Sequence, residues 1–320
     1  MDEETHQDTI NSMMERISRL ENEVRELRQL VLPEEVPLAK PIDKPSSGLD
    51  KLGLPKPVVA GTTCWEVTCL GNFRFCCAGR DLTLCRSRRG QSILKYLLAS
   101  PGHAASTETL IECFWSQADP AAGLRSLQVA IHTLRRSLRG FGPNGSDETV
   151  MFSDNCYFLN PALSIVQDVD RFRAAYERGQ RAAKTGHWAE ARRAFEDACT
   201  LYASDFLTDC YEEWVSSRRL ALQDLWLALL NQLGSLYSQE REWERAISCY
   251  HQILTVDCYR EDIYRQLMHC YAACGRQADI KRTYRTCQQY LRHDLHLAPA
   301  SETTLLYQRL IQQPVPLATH

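Results

Sequence analysis

The sequence has no C-x-x-C pair, although 14 cysteines lie among its 320 residues. Zinc or redox centres built on paired thiols therefore lack their usual spacing. The nearest approaches are Cys76 beside Cys77, and Cys270 four residues before Cys274 with His269 adjacent. Many thiols fall where small apolar residues belong, such as Cys249 next to Tyr250 and Cys69 next to Leu70. They read as reduced, buried side chains, with thiol-based redox sensing and metal binding through His269, Cys270 and Cys274 as the alternatives. No apolar run approaches the roughly 18 to 20 residues of a membrane span, and the acidic start MDEETHQD is unlike a secretory signal. A soluble, cytoplasmic protein is expected. G-x-x-x-x-G-K-[ST], G-x-S-x-G and H-E-x-x-H are all missing, so no catalytic residue, cofactor or metal site is assigned and an enzyme is not expected. Net charge is only −3, and any attraction to nucleic acid has to come from charge gathered locally.

One such place exists. Residues 120–146 contain no Asp or Glu, and within them residues 123–140 read GLRSLQVAIHTLRRSLRG. Leu124, Leu127, Ile131, Leu134 and Leu138 recur at steps of three and four, which predicts one buried face of a helix. Arg125, Gln128, His132, Arg135, Arg136 and Arg139 take the other face with nothing in sequence to neutralise them. Guanidinium forks and a glutamine amide match the phosphates and base edges of a DNA major groove. From this segment alone, a basic surface helix without a nucleic-acid role fits equally well.

Its neighbours narrow the choice. Residues 64–85 break into short alternating stretches, CWEVTCLG, FRFCC and DLTLC, separated by turn residues, and predict small antiparallel strands. A helix is expected from about Arg88 to Ala99, ended by Pro101 and Gly102; Ser106 is placed to cap the next one, and Pro120 opens the basic helix. TVMFSDNCYFLN then reads as a hairpin turning near Asp154 and Asn155. Strands, three helices and a hairpin in this order describe a winged helix-turn-helix with an extra N-terminal sheet, the basic helix entering the groove and the hairpin forming the wing.

Ahead of this domain, Ile10, Met13, Ile17, Leu20, Val24, Leu27 and Val31 form a heptad run, β-branched at each a position and Met or Leu at each d. Such a pattern predicts a parallel two-stranded coiled coil, with Arg16 facing Glu21 and Glu23 facing Arg28 of a second chain. A lone amphipathic helix docked on its own protein is the alternative. Pro33, Pro37, Pro41, Pro45, Pro55 and Pro57 mark the following stretch as a linker.

Beyond Asp168 the pattern is helical and it repeats. Leu233, Tyr237, Ala246 and Tyr250 recur as Leu267, Tyr271, Ile280 and Tyr284, each 34 residues on, the period of tetratricopeptide repeats. An earlier copy places Trp188, Ala191 and Phe195 55 residues before Trp243, Ala246 and Tyr250. The extra residues around DFLTDCYEEWVSSRR are expected to lengthen a helix anchored by Trp214. Apolar residues here are read as core, and function is left to the surface of the array.

WEVTCLGNF, RRGQSILKYLL, STETLIECFW, LRSLQVAIHTLRRSL and CYFLN together resemble an OmpR-like winged helix. LYASDFL, EEW, LTVDCYREDIYRQLMHCYAACGRQ and APASETTLLYQRL are similar to the bacterial transcriptional activator domain. In this order, from Trp65 to Ile311, they resemble the SARP-type transcription regulators. Two positions depart from the family pattern. Cys258 follows Asp257 where Pro is usual, and Cys156 stands where a Gly, free to take φ > 0, commonly precedes the wing Tyr157.

Heptad, proline and strand–helix patterns, with the resemblance covering only the part from Trp65 to Ile311, together predict a mainly α fold with a small β part: a coiled coil at 1–32, a linker at 33–63, a winged helix at 64–162, a tetratricopeptide-like activator domain at 168–312 and a tail at 313–320. The heptad run adds the expectation of a homodimer, and the lack of a long apolar run that of no membrane attachment. The resemblance implies sequence-specific binding to double-stranded promoter DNA and activation by contact with RNA polymerase. Carried onto this chain, it assigns Arg125, Ser126, Gln128, His132 and Arg135 to bases or nearby phosphates, and Arg136 and Arg139 to phosphate. Arg86, Arg88 and Arg89 would grip backbone, and Asn155 and Tyr157 of the wing would enter the minor groove; Asp154 would repel phosphate. A repeat-type protein-interaction scaffold without specific DNA binding is the competing function.

Overall fold

A computed structural model describes residues 64–77, 80–81 and 87–312. The heptad run, the linker, Arg86 and the tail after 312 lie outside the described residues. Strand β1 (Cys64–Thr68) buries Trp65 and Val67 and exposes Glu66 and Thr68, the alternation of a sheet with one covered face. It pairs antiparallel with β2 (Arg74–Cys77), Trp65 opposite Cys77, and β2 pairs with the short β3 (Arg80–Asp81). Between β1 and β2, Gly71 takes a φ of 118°, a turn conformation that a side chain would strain.

Helix α1 (Arg88–Ala99) follows, then β4 (Ala104–Ser106), α2 (Thr107–Trp115) and α3 (Pro120–Ser137). Ser106 Oγ accepts from the Thr109 amide at 3.1 Å, capping α2. Pro120 is at the start of α3, whose first amides, Ala121 and Ala122, donate to the Asp119 carboxylate. Leu94 and Leu97 of α1, Leu110 and Phe114 of α2, and Leu127, Ile131 and Leu134 of α3 close the core. Strands β5 (Val150–Ser153) and β6 (Cys156–Leu159) form the hairpin, and β6 also pairs with β4. The residues with positive φ are Asp154 (48°) and Asn155 (61°), types that tolerate it. Cys156 therefore does not need the glycine of the family pattern, because it already lies in the strand.

Two strands were not expected from the sequence. One is β4; the other, β7 (Ser164–Gln167), lies parallel to β1 with Trp65 opposite Ile165, completing a sheet of order β3-β2-β1-β7. It runs directly into α4 (Asp168–Lys184), the first helix of the repeat half.

That half continues with α5 (Trp188–Leu201), α6 (Glu213–Gln239), α7 (Trp243–Val256), α8 (Glu261–Ala273), α9 (Gln277–Asp294) and α10 (Ser301–Gln312). The sequence repeats are visible as geometry. Gly186, Arg241 and Gly275, at the turns within successive helix pairs, all take positive φ, of 77°, 60° and 70°. A Cβ on Gly179 would lie 2.5 Å from the Phe195 ring, and one on Gly234 would lie 2.7 Å from the Tyr250 ring. Tyr284, the third copy of this aromatic, stacks on Tyr307 of α10 with ring centroids 4.1 Å apart. Trp188 departs from the core reading, being 51% exposed at the start of α5.

Part of the stretch expected to lengthen a helix is not helical. Residues 203–212 dock on the β1–β2 turn: the Gly71 amide donates to Asp205 O, and the Leu207 amide to Cys69 O. Arg219 of α6 keeps them out of the helix by donating to the carbonyls of Phe206, Leu207 and Cys210. Trp214 does act as an anchor, but its ring packs edge-on against Tyr96 of α1, 5.0 Å away. The same joint holds an ion pair between buried Lys95 and Asp209 at 2.7 Å, and a bond from Arg218 to Ala99 O. At its centre the Asp168 carboxylate accepts from the amides of Cys69, Leu70 and Val169 at 2.7–2.9 Å.

Candidate nucleic-acid interface

On α3 the core stripe is Gly123, Leu127, Ala130, Ile131 and Leu134, with buried Leu138 at the C-cap. Leu124 is not part of it. It is 37% exposed, because at this level the contact with α2 is made by Gly123, whose missing Cβ would lie 2.9 Å from Ile111 Cγ2. The opposite face presents Arg125, Gln128, Val129, His132, Arg135, Arg136 and Arg139, all exposed, while Ser126 is half-buried at its edge. Arg125 and Arg136 have no hydrogen-bond or ion-pair partner among the described residues. Arg139 reaches only Asp147, at 3.8 Å, with both side chains mostly in water.

Arg135 differs from its neighbours. Its Nε donates to the Val150 carbonyl at 2.8 Å, so the side chain expected to select bases ties α3 to the first strand of the wing. This makes it a positioning residue for the helix and hairpin, with the remaining N–H groups of its fork as the part left for DNA.

The wing also corrects the expectations. Tyr157 is buried at 7% exposure, its ring 4.6 Å from that of Phe152, and its position in β6 is opposite Ala105 of β4. The period-two alternation of β6 turns it inward, so it belongs to the core and not to a groove. Asn155 is exposed, but Nδ2 donates to Glu108 Oε1 at 2.5 Å and its carbonyl accepts from Thr107 N and Oγ1. It fastens the hairpin turn to the start of α2. Glu108's own backbone amide, and then the Asn155 amide, hold its carboxyl below the usual range. Phe152, 52% exposed, is the wing's outward aromatic, and the sequence reading did not single it out.

Arg88 is exposed at the start of α1. Arg89 turns away toward the repeat half, 3.4 Å from Glu212 and stacked over Phe114 and Trp115 at 6.0 and 5.8 Å, so its charge is already engaged. The glutamate that draws it there lies 123 residues ahead, beyond the reach of local pattern.

Among the described residues no three His, Cys, Asp or Glu side chains gather as a metal site. Cys270 Sγ lies 3.4 Å from Ser238 Oγ. Burial pushes the Cys199 and Cys287 thiols up to about 12 and Cys249 to about 11, which keeps them protonated and slow to oxidise near neutral pH. In the repeat half, two clefts of about 650 and 740 Å³ are lined by corresponding residues 34 apart: Tyr237, Ser248 and Val256 in one, and Tyr271, Arg282 and Tyr290 in the other.

Fold and surface together define a winged-helix module joined to an array of paired helices. Residues 82–148 match the model of the transcriptional regulatory protein C-terminal domain, and residues 167–311 match the bacterial transcriptional activator domain. The chain carries these two domains in this order and is homologous to the SARP-family transcription regulators. Transcriptional regulatory protein MoaR1 of Mycobacterium tuberculosis is 25% identical over 271 residues, covering 84% of this chain and 86% of its own. Regulatory protein AfsR of Streptomyces griseus is 22% identical over 240 residues, covering 75% of this chain and 24% of its own. In fold the chain is similar to the solved structure of Mycobacterium tuberculosis EmbR in complex with a low affinity phosphopeptide, with a TM-score of 0.66 at 22% identity, covering 79% of this chain and 66% of that one. No described helix is long and apolar enough to cross a membrane.

Proposed function

We propose that this transcriptional regulator binds promoter DNA with α3 in the major groove and the β5–β6 hairpin alongside, and activates transcription by contacting RNA polymerase. The observation that carries the reading is the exposed face of α3, where Arg125 and Arg136 keep their full hydrogen-bonding capacity for an outside partner. Arg125, Ser126, Gln128 and His132 are assigned to base edges or nearby phosphates, and Arg88, Arg136 and Arg139 to phosphate. Regulation, and not catalysis, is its role, exercised in the cytoplasm. The reading includes a homodimer paired through the heptad run at residues 10–31, which lies outside the described residues; pairing would raise the local concentration of the second DNA-binding module beside a double site.

Selection of bound duplexes from a random pool, followed by gel-shift titration over a range of salt, tests this. Arg136→Ala is expected to weaken all sequences alike and to reduce the salt slope by about one. Arg125→Ala is expected to relax preference at one base pair by about 1–3 kcal/mol. Arg89→Ala, whose side chain faces Glu212, is expected to leave the slope unchanged. A pool with no enriched sequence would overturn the reading in favour of an interaction scaffold.

A further inference from the structure

Between residues 64 and 160, three large apolar side chains among the described residues are exposed: Leu124 at 37%, Val129 at 67% and Phe152 at 52%. All three are on α3 or on the wing strand β5, the two elements assigned to the duplex. Two of them are partly covered. Leu124 is at the rim of the α3 core stripe, and Phe152 packs against the Tyr157 ring. Val129 is the most exposed of the three.

Its position gives this exposure meaning. Val129 follows Arg125 by four residues and precedes His132 by three and Arg136 by seven, so these four side chains share one face of α3. A valine in mid-helix is disfavoured by its β-branch, and an exposed one leaves its methyl groups in water. Core packing does not require it, because Ala130 and Ile131 make the buried contacts at this level. An apolar group in a cationic, groove-entering face has one natural counterpart in the major groove, the C5 methyl of thymine.

We infer that Val129 is a specificity-determining residue that reads a thymine methyl group beside the bases and phosphates held by Arg125, His132 and Arg136. The inference rests on the DNA-binding reading above and adds to it a preference for thymine that no hydrogen bond supplies. The four outward side chains then divide the work, with charge giving affinity and Val129 distinguishing thymine from cytosine or uracil at one position.

The test uses the full chain and its selected duplex, with each thymine replaced in turn by deoxyuridine, which removes only the methyl group. For the unaltered protein, one thymine in each half-site is expected to lose about four-fold in affinity on replacement, equivalent to about 0.8 kcal/mol for one buried methylene-sized group. Val129→Ala is expected to bind thymine and deoxyuridine equally at that position. Arg125→Ala, though weaker overall, is expected to keep the four-fold ratio. Folding of the alanine variant is not at issue, since the site is exposed and alanine is the better helix former. Identical deoxyuridine profiles for the unaltered protein and Val129→Ala would overturn this inference while leaving DNA binding intact, as would a site insensitive to every replacement. Failure to select any duplex would remove the DNA-binding reading itself, and this inference with it.

Discussion

On α3, Arg125 and Arg136 face outward without a partner among the described residues, whereas in the repeat half Arg192 is held by three carboxylates and Arg245 and Arg276 by two each. Arg192 of α5 reaches Glu240 and Glu242 at the α6–α7 turn, Arg245 of α7 reaches back to Glu196 of α5, and Arg276 reaches Glu244 of α7. One residue type thus has two uses. In the repeats it joins one helix pair to the next, through exposed pairs that are individually weak and act as a network. On α3 the absence of acids keeps the same group available to an external anion. Glycine divides in the same way: Gly179 and Gly234 admit fully buried aromatic rings, and Gly123 admits the Cγ2 branch of the half-buried Ile111.

The sharpest test of this contrast is a methyl group added at each kind of crossing. Gly179→Ala brings a Cβ to 2.5 Å from the Phe195 ring, a fully buried side chain that has nowhere to move. A loss of about 1–3 kcal/mol in urea unfolding is expected, even after alanine's helix preference of about 1 kcal/mol. Gly123→Ala brings a Cβ to 2.9 Å from Cγ2 of Ile111, a branch methyl held by χ1 but on a half-buried side chain, so a net loss of no more than about 1 kcal/mol is expected, smaller than at Gly179. Equal losses at both sites would show that the two halves are packed to the same tolerance.

A second test addresses the joint, where a charge pair spans the halves. Asp209→Ala leaves the Lys95 ammonium buried without its carboxylate. Breaking a fully buried pair costs about 3–5 kcal/mol; with Asp209 itself 40% exposed, about 2 kcal/mol is expected. Lys95→Met with Asp209→Ala should recover most of it, measured by the same unfolding curves.

The smallest effect separates the halves by pH. In the repeat half, desolvation and the nearby Arg276 hold His251 below its ordinary value of 6.5, with Asp279 acting the other way and Nε2 2.8 Å from the Tyr271 hydroxyl. Below pH 6.5 the unfolded chain takes up a proton that the folded chain resists. Stability contributed by the neutral ring is therefore present above 6.5 and is lost as pH falls toward the depressed folded value. Thermal unfolding between pH 7.5 and 5 is expected to show an acid-side decline that His251→Gln reduces; an unchanged profile would remove His251 as its source.

Much of this architecture was legible in sequence because its signals are local. The period of α3, the caps at Ser106 and Pro120, the turn at Asp154 and Asn155, and the 34-residue repeat each depend on neighbours within a few turns or on self-similarity. What was not legible depends on distant partners. Tyr157 and Arg135 carry DNA-compatible chemistry, but β4 and the Val150 carbonyl take them for the fold. Arg89 is drawn to Glu212, and residues 203–212 leave the helical pattern for the β1–β2 turn. Val129 was overlooked for a different reason: it fits neither the apolar stripe nor the set of polar side chains on α3, and only its exposure shows that it belongs to the outward face.

Strand β7 has a consequence for evolution by recombination. The match to the activator domain begins at residue 167, at the last residue of β7, yet that strand completes the sheet of the winged half. A chain cut just before it would leave β1 with an open edge, the kind of surface that invites sheet-to-sheet aggregation. It would also lose the Asp168 carboxylate that receives the Cys69 and Leu70 amides. The DNA-reading module is therefore not a detachable cassette: a viable hybrid must inherit β7 and the first turn of α4 along with α3, and any lineage exchanging its activator domain has to cross over after them.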